Sequence, residues 1–189
     1  DLLTQMLYDV RPVERSPGAA AALHRRHVAE LLRLLERQGA EKITAAIALR
    51  ETVGGRLFGC ADLLRRAASD FAAMRRADPR PTVLVVGEIY VRCDPFANDF
   101  IVAKLEERGI SIRFAPISEW FEYTEDLNTA AAGWLDLGTR LSNRVQHAIQ
   151  DRSYGIVARV LGWPRRTSAD DALKAARPLL RPELIGEAC

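Results

Sequence analysis

Apolar residues recur at helical spacing through the first 77 positions and then switch to consecutive runs. Leu2, Leu3, Met6 and Leu7 predict a first helix from Asp1 to Val10, and Arg11-Pro12 stops it because a residue before proline avoids the helical region. Ser16-Pro17 reads as an N-cap with proline in the first turn, followed by a broad stripe at Leu23, Val28, Leu31, Leu32 and Leu35 that ends at Gly39. Glu41 to Thr52 predicts an alanine-rich helix closing at Gly54-Gly55. Leu63, Leu64, Ala67, Phe71 and Met74 predict another from Leu57 to Arg76. Residues 1–77 are therefore expected to form a helical region.

Asp78-Pro79-Arg80-Pro81 breaks this pattern and leads into Thr82-Val83-Leu84-Val85-Val86, apolar on successive residues as in a strand covered on both faces. A helix is expected from Asp94 or Pro95 to Arg108, carrying Phe100, Ile101 and Leu105 inward and closing on Gly109, and a second strand from Ile110 to Phe114. Strand, helix, strand is a βαβ unit with a parallel pair and a right-handed crossover. Ser118 can cap a short helix through Tyr123. Beyond it the pattern turns helical again, from Thr129 to Gln150, from Tyr154 to Leu161, and from Ser168 or Asp170 to Pro178. Two strands do not make a doubly wound sheet, so either a segment such as Ile43 to Leu49 contributes a strand or the missing strands lie past Cys189. The expected fold class is α/β, with a Rossmann-like βαβ core over 82–189, incomplete at its C-terminal end, and a largely helical N-terminal half. The chain reads as a piece of something longer.

At 189 residues with 48% hydrophobic and 28% charged positions, the composition is globular, and the apolar runs are too short to cross a membrane. The 27 basic and 25 acidic residues balance to +2. The arginines are interleaved with acids at helical spacing, which marks a solvated face rather than a nucleic-acid surface. Cys60, Cys93 and Cys189 are too far apart for a disulfide framework or a local metal site, and reduced thiols fit a cytoplasmic protein. His24 and His27 read as an exposed pair rather than ligands, so no metal residue is expected.

Candidate chemistry concentrates in the connection Gly87 to Asn98, which is long for its class and sits where open α/β sheets bind ligands. Extended backbone would put Glu88, Tyr90 and Arg92 on one face, with Asn98 nearby. The alternative is structural: an ion pair between Glu88 and Arg92, a helix cap from Asp94 and backbone bonds from Asn98. Neither G-x-G-x-x-G nor G-x-x-x-x-G-K-[ST] occurs, which argues against dinucleotide and P-loop phosphate sites. Cys93 has no histidine near it in sequence and reads as an inert thiol. Trp120, Phe121 and Tyr123 read as core or interface.

The run GEIYVRCDPFAN, followed by LEERGISIRFAPISEWFEY, resembles the C-terminal region of CoA-substrate-specific enzyme activases, the group related to 2-hydroxyglutaryl-CoA dehydratase and its ATP-dependent activator. DLLTQMLYDVRPVE with Pro17-Gly18 upstream, and Arg181-Pro182-Glu183 with Gly186-Glu187 downstream, extend the resemblance over most of the chain. It implies a Rossmann-like dehydratase-type subdomain of a large cytoplasmic protein. In that group ATP hydrolysis at an actin-like domain drives one electron through an iron-sulfur cluster, allowing radical dehydration of a 2-hydroxyacyl-CoA. No actin-like phosphate motif is present, and the cysteines of the implied [4Fe-4S] cluster are expected past Gly186-Glu187. No cofactor is therefore expected on this chain, which is expected to be inert alone. On this resemblance Glu88, Tyr90, Arg92 and Asn98 are candidates for the wall of a cluster or acyl-CoA cleft. Trp120, Phe121 and Tyr123 are candidates for docking an activator ATPase domain or a dehydratase-type subunit.

Overall fold

The computed structural model describes residues 1–40, 43–77, 80–115, 117, 118, 120, 124, 137–166, 171, 174, 175 and 178. Helix α1 (Leu2–Val10) turns Leu3, Met6, Leu7 and Val10 into the core, and Arg11–Val13 add one 3-10 turn with Pro12 at its start. Helix α2 (Ala19–Gly39) begins at Gly18, whose φ of 84° is left-handed. Ser16 supplies no side-chain cap there. The buried Glu14 carboxylate does so instead, accepting from the Gly18 and Ala20 amides at 2.7 Å each. Of the expected α2 stripe, Leu23 is buried and Val28 and Leu31 pack partly, whereas Leu32 and Leu35 are exposed because the C-terminal half of α2 runs past the core.

Helix α3 (Ala45–Val53) is capped by Thr44, so the segment proposed as a spare strand, Ile43 to Leu49, is helical from Ala45 onward. Helix α4 (Cys60–Met74) buries Ala61, Leu63, Leu64, Ala67, Ala68 and Phe71, repeating at three and four residues. An antiparallel bridge between Glu14 and Arg75 ties the start of α2 to the end of α4, with the Arg15 amide donating to Met74 O at 3.0 Å and the Arg76 amide to Val13 O at 2.9 Å.

Strands β1 (Thr82–Val85) and β2 (Ser111–Phe114) pair in parallel, Thr82 opposite Ser111 and Val85 opposite Phe114. Between them lie α5 (Ile89–Cys93) and α6 (Ile101–Glu107). Helix α6 starts later than the pattern predicts because Asp99 and Phe100 take left-handed backbone, and it closes on Gly109 as expected. The expectation of a strand covered on both faces fails for β1: Leu84 and Val86 are exposed, and β2 is the sheet's only partner strand among the described residues. The inner strand is β2, with Ile112 buried, and it packs on α1.

Helix α7 (Leu137–Leu161) runs unbroken through Asp151 to Ser153, where the sequence suggests a gap. Docking of Ile156, Val157 and Leu161 against the first-half helices outweighs the weak local preference of Ser153 and Gly155. Gly162, with φ of 70°, ends it, and the Trp163 amide donates back to Ala158 O at 3.1 Å. The described protein is thus mostly helical, its core shared by α1, α2, α4 and α7, with a small parallel two-stranded sheet on one flank. No helix among the described residues is long and apolar enough to cross a membrane.

Candidate functional site: the connection after β1 and the cleft beside β2

The connection after β1 is organised by its polar side chains turning inward on its own backbone. Ile89–Cys93 is a helical turn rather than extended chain, so Glu88, Tyr90 and Arg92 do not share a face. Glu88 caps that turn, accepting from the Val91 amide at 3.0 Å, and these backbone N–H bonds, first Val91 and then Tyr90, hold its carboxyl below the usual range. Asp94 Oδ1 accepts from the Phe96 and Ala97 amides at 2.7 and 2.9 Å, capping a turn and not a helix. Asn98 donates to Arg92 O at 3.0 Å and accepts from the Ile101 amide at 3.3 Å, which pins both ends of the connection. The backbone bonds expected of Asn98 are present, whereas Asp94 caps a turn where a helix start is expected, and Glu88 spends its carboxylate on the Val91 amide.

With the polar groups used this way, the apolar ones face out. Tyr90 is 66% and Phe96 85% exposed, and Val91 and Phe100 are exposed beside them, continuous in chain with the exposed Leu84 and Val86. Arg92 is the exception at 8% exposed, and its buried Nε lacks a hydrogen-bond partner. Of the aromatic trio proposed for docking, Trp120 is exposed, and Phe121 and Tyr123 lie outside the described residues.

A second feature was not anticipated. A cleft of about 680 Å³ opens between α1, β2 and α7, and none of Glu88, Tyr90, Arg92 or Asn98 lines it. Its walls are apolar at Leu3, Leu63, Ile112 and Phe114, and polar at Tyr8, Arg113, Tyr154 and Trp163. The Arg113 guanidinium lies 5.9 Å from the Trp163 ring centroid, and Tyr154 lies 5.8 Å from the same ring. Trp163 Nε1 donates to Asp9 Oδ2 at 3.1 Å and Tyr154 Oη to Pro164 O at 2.8 Å, so both rings are held in place. Burial pushes the Tyr154 phenol up, opposed by Arg113. At the far edge of α1, Tyr8 stacks at 5.2 Å on Phe114 and under Arg11, which also bonds Glu106 at 2.9 Å. Burial raises the Glu106 carboxyl against the pull of Arg11. An arginine inside the apolar run Ile110 to Phe114 was the available signal for this cleft; its aromatic wall comes from residues some fifty positions away and left none.

His27, expected on an exposed face, is buried at the α2–α4 contact, with Nε2 3.0 Å from Asp70 Oδ2 and Nδ1 3.5 Å from Glu30. Arg26 and Arg66 complete that cluster by bonding Asp70 and Glu30. His24 is half-buried, 3.5 Å from Thr4, and neither histidine's contact goes to Cys93. Cys60 is half-buried and Cys93 exposed, and no group of three or more metal-ligating side chains forms among the described residues. Three cysteines fall short of the four thiolates that hold a [4Fe-4S] cluster, so the residues of this chain do not by themselves fit one.

No family model matches this chain, and no curated protein and no solved structure is similar to it.

Proposed function

We propose that this chain belongs to an ATP-coupled, iron-sulfur electron-transfer system of the 2-hydroxyacyl-CoA dehydratase type, and that it serves there as a docking module for the activator ATPase. The observation that carries this reading is the connection Gly87 to Asn98, the same run that bears the resemblance. Its polar side chains cap and pin the backbone, and its apolar side chains Tyr90, Val91 and Phe96, with Phe100 just past it, are turned to solvent. Exposed apolar side chains gathered along one short, capped connection are the character of a protein-interaction surface. In this reading the parallel β1–β2 pair is part of a Rossmann-like sheet, the cytoplasm is the compartment, and the cluster and the acyl-CoA chemistry belong to the partner.

The test is binding of the whole chain to a purified activator ATPase of this type, with and without ATP, for wild type and for the double variant Tyr90→Ser/Phe96→Ser. Both side chains are exposed and neither caps the turn, so the fold is expected to persist. Affinity should fall roughly tenfold or more, as when interface aromatics are truncated. Equal affinity of variant and wild type would overturn the reading.

A further inference from the structure

We propose that the cleft between α1, β2 and α7 is a binding site for a small organic anion with a flat apolar body, its anionic group taken by Arg113 and its body lying against Trp163 and the wall formed by Ile112 and Leu63. This goes beyond the docking reading and does not depend on it, since the cleft contains none of Tyr90, Val91, Phe96 or Phe100.

Two carboxylates line the cleft among the described residues, and both are engaged elsewhere: Asp9 accepts from Trp163 Nε1 and lies 3.6 Å from Arg75, and Asp1 accepts from the Ser118 amide at 3.1 Å. Of the other arginines lining the cleft, Arg166 pairs with Asp151 at 2.7 Å and Arg165 lies beside it on the same rim segment, away from the Trp163 contact that marks Arg113. Arg113 pairs with no carboxylate among the described residues; its one close partner is the Trp163 ring. A half-buried guanidinium with no anion beside it keeps several N–H donors in a fork that fits a carboxylate, and the partly desolvated wall strengthens that interaction over the same one in water.

Shape and order point the same way. A volume of about 680 Å³ is in the range of small-molecule sites, which are mostly apolar with a few placed polar groups. The ring that would face the ligand is already fixed through Asp9, and Tyr154 behind it through Pro164 O, so little ordering remains to be done on binding. A flat apolar body matches a wall of ring and aliphatic side chains, and an anion matches a guanidinium that pairs with no carboxylate among the described residues. A neutral ligand of the same shape would leave Arg113 unanswered.

The experiment is calorimetric titration of the whole chain with 2-naphthoate and with its neutral analogue 2-naphthamide. Wild type should bind naphthoate in preference to naphthamide. Arg113→Gln should weaken naphthoate roughly tenfold or more, the usual loss of a charge-assisted contact, and leave naphthamide unchanged. Ser153→Trp, which fills the cleft from α7 and spares Arg113, should abolish both, with circular dichroism confirming the helical content of each variant. Equal binding of the two ligands by wild type, or naphthoate binding that Arg113→Gln or Ser153→Trp leaves unchanged, would overturn the proposal. Absence of naphthoate binding to wild type at millimolar concentration would overturn it too. Should Arg113→Gln fail to fold, the wild-type preference for naphthoate, set against the blocked Ser153→Trp chain, decides.

Discussion

Glu14 shows how one buried charge can organise a helix start that its own sequence signals misplace. Ser16-Pro17 has every mark of an N-cap, yet Gly18 takes the left-handed conformation and presents its amide and that of Ala20 to Glu14. The carboxylate wins because its two oxygens, on a longer side chain, take one amide each, whereas serine offers a single oxygen. Glu14→Ala would take the acceptor from two amides at the start of α2, that of Ala20 in a buried position. It is expected to cost about 1–3 kcal/mol, read as a lower urea midpoint with unchanged slope. Titration at His24 adds a pH dependence. Burial, helped by Arg11 and Arg25, lowers its pKa below the ordinary 6.5. The folded state therefore binds this proton less readily than the unfolded chain, so the contribution to stability is present above pH 6.5 and is lost as pH falls below it. The difference in urea midpoint between wild type and His24→Gln should be constant above that value, and wild type should lose ground to the variant as pH falls below it.

At the scale of elements, helices with strong periodicity were legible in the sequence and their junctions were not. Leu3, Met6, Leu7 and Val10 in α1, and Leu63, Leu64, Ala67 and Phe71 in α4, declare their faces because core contacts follow the helical repeat. The parallel pairing of β1 with β2 was legible too, from apolar runs flanking a helical stretch. The run Thr82 to Val86 misleads about burial, since apolar composition signals the wish to be covered and not the presence of a cover. The break suggested between Gln150 and Tyr154 does not occur because tertiary docking of Ile156 and Val157 holds α7 together. Its real stop is Gly162, at φ of 70°. Gly162→Ala forces a Cβ into that left-handed position and is expected to cost about 1 kcal/mol, with faster amide exchange at Trp163, whose bond to Ala158 O closes the helix.

For the whole molecule, the linker at Asp78 to Pro81 divides the chain by composition, but α7 from beyond it fills the core of the helices before it. That convergence is invisible in sequence because no local pattern records which distant face a helix will meet. The same holds for the site: the connection after β1 could be singled out as unusual, whereas Arg113, Tyr154 and Trp163 converge only through the docking of α7 beside β2. Val157 is fully buried in this shared core. Val157→Ala is expected to cost about 1–3 kcal/mol and to lower exchange protection in α4 as well as in α7; loss confined to α7 would mean that the two halves open separately. The Glu14–Arg75 bridge carries a kinetic consequence. Its partners are some sixty residues apart, so it closes only after α2 and α4 have found each other, when the entropy of so large a loop has already been overcome. The bonds from Gly18 and Ala20 to Glu14 span only four and six residues, so the first turn of α2 needs no such closure, and what the bridge adds is the fastening of that turn to the end of α4.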